Sequence, residues 1–135
     1  MSEAELYLSD LNKKIQKLAR SADSVFIDAG CTSYVKTIYI GYDIDGEMVA
    51  ALYAHTDHVE VALALDEHHN DSGLVDATHL TWRTLPVAFV LTSDGELPQF
   101  RQLVEEACAR VRAGSHKVNR DNEFFIKSRR ERRGR

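Results

Sequence analysis

Histidines and acidic residues occur together in two short stretches of this 135-residue sequence. His55 and His58 flank a short polar segment, and His68 and His69 lie in a longer one. Neutral imidazole and carboxylate groups are the ligands of many zinc, iron and nickel sites, so these four histidines are candidate metal ligands. Their spacing matches no metal-binding signature such as H-E-x-x-H. The alternative, which we favour, is that water solvates them in turns and loops, and we assign no metal and no cofactor.

Three aromatic residues, Tyr39, Tyr53 and Trp82, are candidate contacts for a flat ligand or a nucleic-acid base. Aromatic rings on an open sheet face stack bases in several folds that bind single-stranded nucleic acid. Such folds normally add a positive groove, whereas this stretch offers little positive charge besides Lys36. The alternative, which the sequence favours, is that both tyrosines pack against the loop that contains Trp82.

Nucleophilic catalysis has little support in the sequence. Cys108 falls beside the apolar stripe of a predicted helix, where a cysteine usually serves as a small buried hydrophobe. Cys31 lies in a predicted loop, where its thiol could reach solvent. No G-x-S-x-G or G-x-x-x-x-G-K-[ST] motif occurs, and adjacent carboxylates such as Glu105 and Glu106 are typical of a solvated helix surface. We therefore expect a protein without enzymatic activity.

The strongest functional feature is a run of basic residues near the C-terminus. Six of the nine residues from 127 to 135 are basic: Lys127, Arg129, Arg130, Arg132, Arg133 and Arg135. Such a segment can neutralise phosphates and release counterions, which produces salt-dependent, sequence-independent binding to nucleic acid. The alternatives are that it contacts an acidic protein, or that it is a solvated terminus that pairs with its own acidic body.

Charge is divided unevenly along the chain. Residues 117–135 carry eight Lys or Arg and three acids, and residues 1–116 carry nine and eighteen, so the net charge of −4 combines +5 with −9. The composition, 44% hydrophobic and 28% charged, is that of an ordinary globular domain. We therefore predict one domain over residues 1–114, followed by a basic tail over residues 115–135.

Composition also excludes several classes of protein. No apolar run reaches the roughly 18 residues that a membrane-spanning helix needs, and the first residues lack the pattern of a secretory signal. Cys31 and Cys108 form no C-x-x-C pair, which is typical of a cytosolic protein with reduced thiols. We expect a cytoplasmic protein that does not bind membranes.

Hydrophobic periodicity predicts the elements that must position these residues. In chain order they are a helix over 2–20, a short strand over 25–28, a loop over 29–33, a three-stranded meander over 36–65, a loop over 66–83, a strand over 85–91, and a helix that begins near Pro98 and ends near Gly114. The Asp45-Gly46 pair is typical of a hairpin turn with positive φ at both residues. The first strand of the meander has one apolar face, formed by Ile38, Ile40, Tyr42 and Ile44.

Each predicted helix has one apolar stripe, and the predicted sheet has one strongly apolar face. The simplest arrangement is a two-layer α+β domain, with an antiparallel meander of about four strands and both helices on that face. Pro86 cannot donate a ladder hydrogen bond, so the fourth strand starts there or lies at an edge.

The stretch from about residue 35 to residue 112 resembles a known family. It contains Ile-Tyr-Ile-Gly-Tyr with Gly41 and Tyr42, a second strand over 48–54, a loop with Thr78 and Trp82, and a final helix with Ala107. This pattern is similar to a small bacterial domain described as a predicted transport protein, which other proteins append to restriction-nuclease-like modules. It also resembles, more distantly, the YdhG-like and YjbR-like α+β domains. The resemblance implies this fold and an accessory or binding role, and it supplies no catalytic residues.

The sequence therefore predicts a non-catalytic binding or accessory module whose basic tail contacts nucleic acid or an acidic partner. The alternative is a small-ligand or metal-binding domain that uses the loop histidines and the sheet tyrosines. A third interpretation is a protein–protein module, such as a homodimer, built on an exposed strand edge.

Overall fold

The computed structural model describes residues 12–69, 73–77, 80 and 84–114. Within them lie helix α1 (Lys13–Asp28), strands β1 (Thr32–Val35), β2 (Ile40–Ile44), β3 (Glu47–Ala54), β4 (Val59–Leu63), β5 (Leu74–Asp76) and β6 (Val87–Leu91), a 3₁₀ turn (Asp94–Glu96) and helix α2 (Leu97–Ala113). The six described strands form one antiparallel sheet in the order β1-β2-β3-β4-β6-β5. The predicted two-layer α+β architecture is confirmed, but the sheet has six described strands instead of about four.

Helix α1 begins after Asn12, whose side-chain oxygen accepts a hydrogen bond from the Ile15 amide at 2.9 Å. Asn is a favourable N-cap because it satisfies an amide that has no partner in the first turn. The buried side of the helix repeats at helical spacing through Ile15, Leu18, Ala19, Ala22, Val25 and Phe26. The predicted helix end at residue 20 and the predicted strand over 25–28 are therefore wrong, because this apolar stripe continues to Phe26. Residues 2–11 of the predicted helix lie outside the described residues.

The meander predicted over residues 36–65 is present as β2, β3 and β4. Asp45 and Gly46 join β2 to β3, and both have positive φ (53° and 79°), as the Asp-Gly prediction requires. Ile38, predicted on the apolar face, is instead 67% exposed. It lies in the turn between β1 and β2, where the Lys36 amide donates to the Tyr39 carbonyl at 2.9 Å.

The two strands that the sequence analysis did not predict, β1 and β5, are short and form the two edges of the described sheet, so each pairs with one neighbouring strand. β1 follows the turn at Gly30 within a predicted loop, and β5 lies inside the predicted loop over 66–83. Their side chains are mostly exposed or half-buried, so no apolar alternation marks them. β5 pairs with β6, which therefore lies inside the sheet between β4 and β5. Pro86 precedes β6, where its missing N–H costs no ladder bond, and its carbonyl accepts from the Ala77 amide at 3.0 Å.

Helix α2 has the ends that the sequence predicts. Pro98 lies in its first turn, and Gly114 closes it with a φ of 78°. Before the helix, the Glu96 carboxylate accepts from the Thr92 and Ser93 amides at 2.7 and 3.0 Å. Those hydrogen bonds hold the pKa of Glu96 below its usual value, although its burial acts in the opposite direction. The strand-to-helix connection is therefore fixed by local hydrogen bonds.

Both described helices pack on the same face of the sheet, as the sequence predicts. The Phe26 ring of α1 stacks on Tyr42 of β2 with centroids 4.1 Å apart. The Phe100 ring of α2 lies 5.7 Å from Phe26 and 5.7 Å from Phe89 of β6. The Tyr42 hydroxyl donates to Asp23 of α1 at 2.6 Å, so the buried phenol has a polar partner. Neither described helix is long and apolar enough to cross a membrane.

Candidate functional site

The face of the sheet opposite the helices carries the predicted tyrosines. Tyr39 immediately precedes β2, and Tyr53 lies on β3, where it pairs with Glu60 of β4. The two rings are 5.7 Å apart and tilted by 38°. Tyr53 is only 9% exposed, so its ring offers little surface to a ligand. Trp82, the third predicted contact, lies outside the described residues.

A third tyrosine, Tyr34 of β1, joins this face, and sequence reasoning missed it. Its cross-strand partner is Gly41 of β2, and its ring covers that glycine so closely that a Cβ atom there would collide with it. The Tyr34 and Tyr39 rings meet edge to face at 6.4 Å. A glycine inside a strand marks a close approach by another group, and Gly41 was the sequence signal for this contact. We call Tyr34, Tyr39 and Tyr53 the tyrosine row.

The surroundings of Tyr34 in the tyrosine row raise the pKa of its hydroxyl group. Burial, the negative charge of Asp43 and the neighbouring Tyr39 raise the pKa of Tyr34 to about 12. Burial and the nearby Glu47 also raise the pKa of Asp43 above its usual value. Lys36 supplies the positive charge, with its Nζ atom 5.8 Å from the centre of the Tyr34 ring. The Tyr34 end of the row is therefore bordered by the cation of Lys36 and by the carboxyl group of Asp43.

Glu60 lies at the other end of the row and is the buried charged residue of the described chain, at 7% exposure. His55 Nε2 lies 3.4 Å from its carboxylate. The His55 ring stacks on His58 at 4.4 Å, and His58 Nδ1 donates to Asp57 at 2.6 Å. That hydrogen bond and the charge of His58 hold the pKa of Asp57 below its usual value. Each imidazole is thus engaged with a carboxylate nearby.

The structure does not bring the four candidate metal ligands together. His68 lies 3.5 Å from its neighbour Glu67, and His69 lies 3.0 Å from Glu106 of α2. The pair formed by His55 and His58 belongs to the β3–β4 turn instead. Among the described residues, no three His, Cys, Asp or Glu side chains are arranged to hold a metal ion. His69 instead connects the segment after β4 to α2.

Helix α1 carries a basic face on the side away from its buried stripe. An open surface depression of about 470 Å³, which we call the groove, lies along one side of this helix and is lined by Lys13, Gln16, Lys17, Arg20, Ser21 and Ser24. Lys13, Lys17 and Arg20 are exposed, and we call these three residues the α1 basic face. Their spacing of four and three residues places them on one side of the helix. Lys17 is 77% exposed and makes a 3.9 Å contact with Asp94, which leaves most of its charge to solvent.

The two cysteines, distant in sequence, meet inside the fold. Cys31 follows α1 and is only 6% exposed, so the expectation of a solvent-accessible thiol is wrong. It is buried because the turn at Ala29 and Gly30 directs the chain back under α2. Cys108 lies on the buried side of α2, as the sequence predicts. Both are free thiols.

The described residues present two surfaces, the α1 basic face and the tyrosine row. The α1 basic face is suited to phosphate groups, whereas the tyrosine row is largely occupied by contacts between its own members. The six basic residues from 127 to 135 lie outside the described residues. No family model, no curated protein and no solved structure matches this chain.

Proposed function

We propose that this protein is a non-catalytic module that binds the phosphate backbone of nucleic acid. The basic residues of the tail, Lys127, Arg129, Arg130, Arg132, Arg133 and Arg135, make the main contact. The concentration of six cations in nine residues is the single observation that carries the proposal. Each phosphate that a cation neutralises releases condensed counterions, which favours binding without regard to sequence.

The α1 basic face supports this proposal from within the described fold. Lys13, Lys17 and Arg20 line a groove together with the polar side chains of Gln16, Ser21 and Ser24. A helix rises about 1.5 Å per residue, so the two outer cations are about 10 Å apart along the axis. That is the length of about three nucleotides along one strand of B-DNA. The groove therefore has the charge and length to hold a short stretch of backbone.

The proposal also covers the cellular location of the protein and the family that it resembles. Free thiols at Cys31 and Cys108 are consistent with a reducing cytoplasm. The resemblance to the small bacterial domain appended to restriction-nuclease-like modules stays a prediction, and an accessory role beside nucleic acid would agree with it. A homodimer formed through the edge strand β1 is compatible with this function and is tested by the molar mass in solution.

The test is the affinity for a mixed-sequence duplex of about 20 base pairs, measured by fluorescence anisotropy between about 50 and 200 mM salt. If the tail makes about six phosphate contacts, the full chain loses about a thousandfold in affinity over this range. Removal of residues 115–135 should abolish most binding and flatten the salt dependence. Equal binding by both forms, or no binding by the full chain, would contradict the proposal.

A matched pair of variants tests the α1 basic face. Lys17 and Arg101 each lie 3.9 Å from an aspartate, and both are exposed, but only Lys17 lines the groove. Lys17→Glu and Arg101→Glu change the net charge equally. We expect Lys17→Glu to weaken binding by about tenfold more than Arg101→Glu. Equal effects of the two substitutions would show that only the tail contacts the duplex. Tighter binding of the full chain to a polyanionic protein than to the duplex would favour an acidic protein partner instead.

The small-ligand alternative retains one supporting observation, the tyrosine row beside the buried Glu60. Tyr34 and Tyr39 are both half-buried, so part of each ring is accessible. Nucleoside monophosphates that quench tyrosine fluorescence would favour binding of a small ligand at the tyrosine row. The quenching should be lost in Tyr39→Ala and retained after removal of the tail.

A further inference from the structure

Two cysteines separated by most of the chain are neighbours in the structure. The Sγ atoms of Cys31 and Cys108 lie 3.7 Å apart, and both side chains are buried, at 6% and 1% exposure. Cys31 lies between α1 and β1, where its amide donates to the Phe26 carbonyl at 3.0 Å. Cys108 lies on the buried side of α2. The pair therefore bridges the end of one helix and the middle of the other.

Arg112, one turn after Cys108, covers this pair. Its Nη2 atom donates to the Ala29 carbonyl at 2.8 Å and lies 3.1 Å from where a Cβ atom on Gly30 would be. The guanidinium thus holds the turn that precedes Cys31 against α2. Its positive charge acts to lower the pKa of both thiols, whereas the negative charges of Asp43 near Cys31 and Glu105 near Cys108 act to raise them.

The two thiols are not equivalent. Either sulfur can be the donor of the hydrogen bond between them, and when Cys31 donates, this bond raises the pKa of Cys31 and lowers the pKa of Cys108. Burial raises both, and the charge of Arg112 lowers both. With Cys31 as the donor, Cys108 is the better nucleophile of the pair, and the 3.7 Å separation places Cys31 to react with whatever forms on it.

We propose that Cys31 and Cys108 are a reversible redox modification site, which closes to a disulfide when the protein meets hydrogen peroxide. The bond would tie the end of α1 to α2. This inference is independent of the proposed binding to nucleic acid, because it uses none of the tail residues and none of the α1 basic face.

The chemistry balances with peroxide as the only oxidant. The Cys108 thiolate attacks one peroxide oxygen, the O–O bond breaks, and the hydroxide released takes up a proton to leave as water. Cys108 is then a sulfenic acid. Cys31 loses its proton, its sulfur attacks the Cys108 sulfur, and the S–O bond breaks with loss of a second water. Two thiols are oxidised by two electrons, and one peroxide is reduced to two waters.

The surrounding backbone can accommodate this bond. A disulfide has an S–S distance of about 2.05 Å, so the two sulfurs need to approach each other by less than about 2 Å. Cys31 belongs to neither α1 nor β1, and Gly30 before it has a φ of 95°. The adjustment therefore falls on a turn, and no helix or strand hydrogen bond has to break. Gly30, directly before Cys31, is exposed to solvent.

The test uses the full chain, treated with a small molar excess of hydrogen peroxide. The protein is then denatured in the presence of an alkylating agent, which blocks the thiols that remain free. We expect the intact mass to show the loss of two hydrogens and of both alkylatable thiols, in a monomer, with full recovery by dithiothreitol. A cross-link that closes so long a loop should raise the Tm by about 10 °C. Peptide mapping should identify the Cys31–Cys108 bond.

Single variants separate the two roles. Cys31→Ser should accumulate one sulfenic acid, trapped by dimedone on Cys108, and Cys108→Ser should react about tenfold more slowly. Thiols that remain alkylatable, cross-links between two chains, or equal rates for the two variants would each overturn the proposal. If a variant fails to fold, the peptide map of the oxidised native chain decides the question alone.

Discussion

At Gly41 a hydrogen atom occupies the position where any other residue would place a carbon against the Tyr34 ring. The Gly41→Ala substitution should therefore displace Tyr34 from the tyrosine row and lower the free energy of unfolding by about 1–3 kcal/mol. Urea unfolding followed by circular dichroism measures this change. In a Tyr34→Ala background the same substitution should cost at least about 1 kcal/mol less, because the obstructing ring is gone.

Gly46→Ala is the matched control, because Gly46 lies in the adjoining hairpin turn with nothing within 4 Å of an added Cβ. Its cost arises from the positive φ of 79° and should be the same with and without Tyr34. Additive effects of Gly41→Ala and Tyr34→Ala would show that the ring and the glycine are not coupled.

The raised pKa of Tyr34 predicts how the stability of the fold depends on pH. Its pKa of about 12 exceeds the ordinary value of 10.0, so between these pH values the folded protein holds a proton that the unfolded chain has released. Stability must then fall as pH rises from about 10 to about 12. Tyr34→Phe has no such proton and should lose less stability over this window. Urea midpoints at about pH 9 and about pH 11.5 measure the difference, and equal losses would contradict the shift.

At the scale of the element, the start of α1 depends on Asn12. Its side chain accepts from the Ile15 amide at 2.9 Å and donates to the Thr56 carbonyl at 2.8 Å. Asn12→Ala should lower the free energy of unfolding by about 1 kcal/mol, measured by urea unfolding, because both bonds are lost. Asn12→Asp retains the acceptor and should recover most of the loss. If Asn12→Asp is as unstable as Asn12→Ala, the lost stability arises from the hydrogen bond to the Thr56 carbonyl instead.

The elements also show which parts of the fold a sequence can predict. β3 lies within the predicted meander, because it is a buried strand that follows a turn with its own sequence signal at Asp45 and Gly46. β1 and β5 carry no such signal, since edge strands with exposed side chains are stabilised by the neighbouring strand. α1 extends beyond its prediction because Ser21 and Ser24 interrupt the pattern of residue types without interrupting the buried stripe.

The same limit applies to the candidate site. Tyr39 and Tyr53 could be placed on one face by alternation along consecutive strands, and the structure brings them together. To predict that Tyr34 belongs to this face, one needs to know that β1 exists. To predict the contact of Cys31 with Cys108, one needs to know how the turn after α1 packs against α2. Contacts between segments far apart in sequence follow from tertiary packing, which residue types alone do not encode.

For the whole molecule, the decisive question is whether the +5 tail reaches outward or pairs with the −9 body. α2 ends at Gly114, whose amide donates to the Val111 carbonyl at 3.0 Å, so the helix is closed before the tail begins. Exposed ion pairs contribute little, and charges are screened beyond about 8 Å at physiological salt. We therefore expect removal of residues 115–135 to change the Tm by less than about 2 °C, measured by calorimetry at low salt and at about 0.5 M salt. A tail with its eight Lys and Arg residues replaced by glutamine controls for length. A Tm loss at low salt that disappears at high salt, in both variants, would show that the tail pairs with its own domain and would remove the main support for binding to nucleic acid.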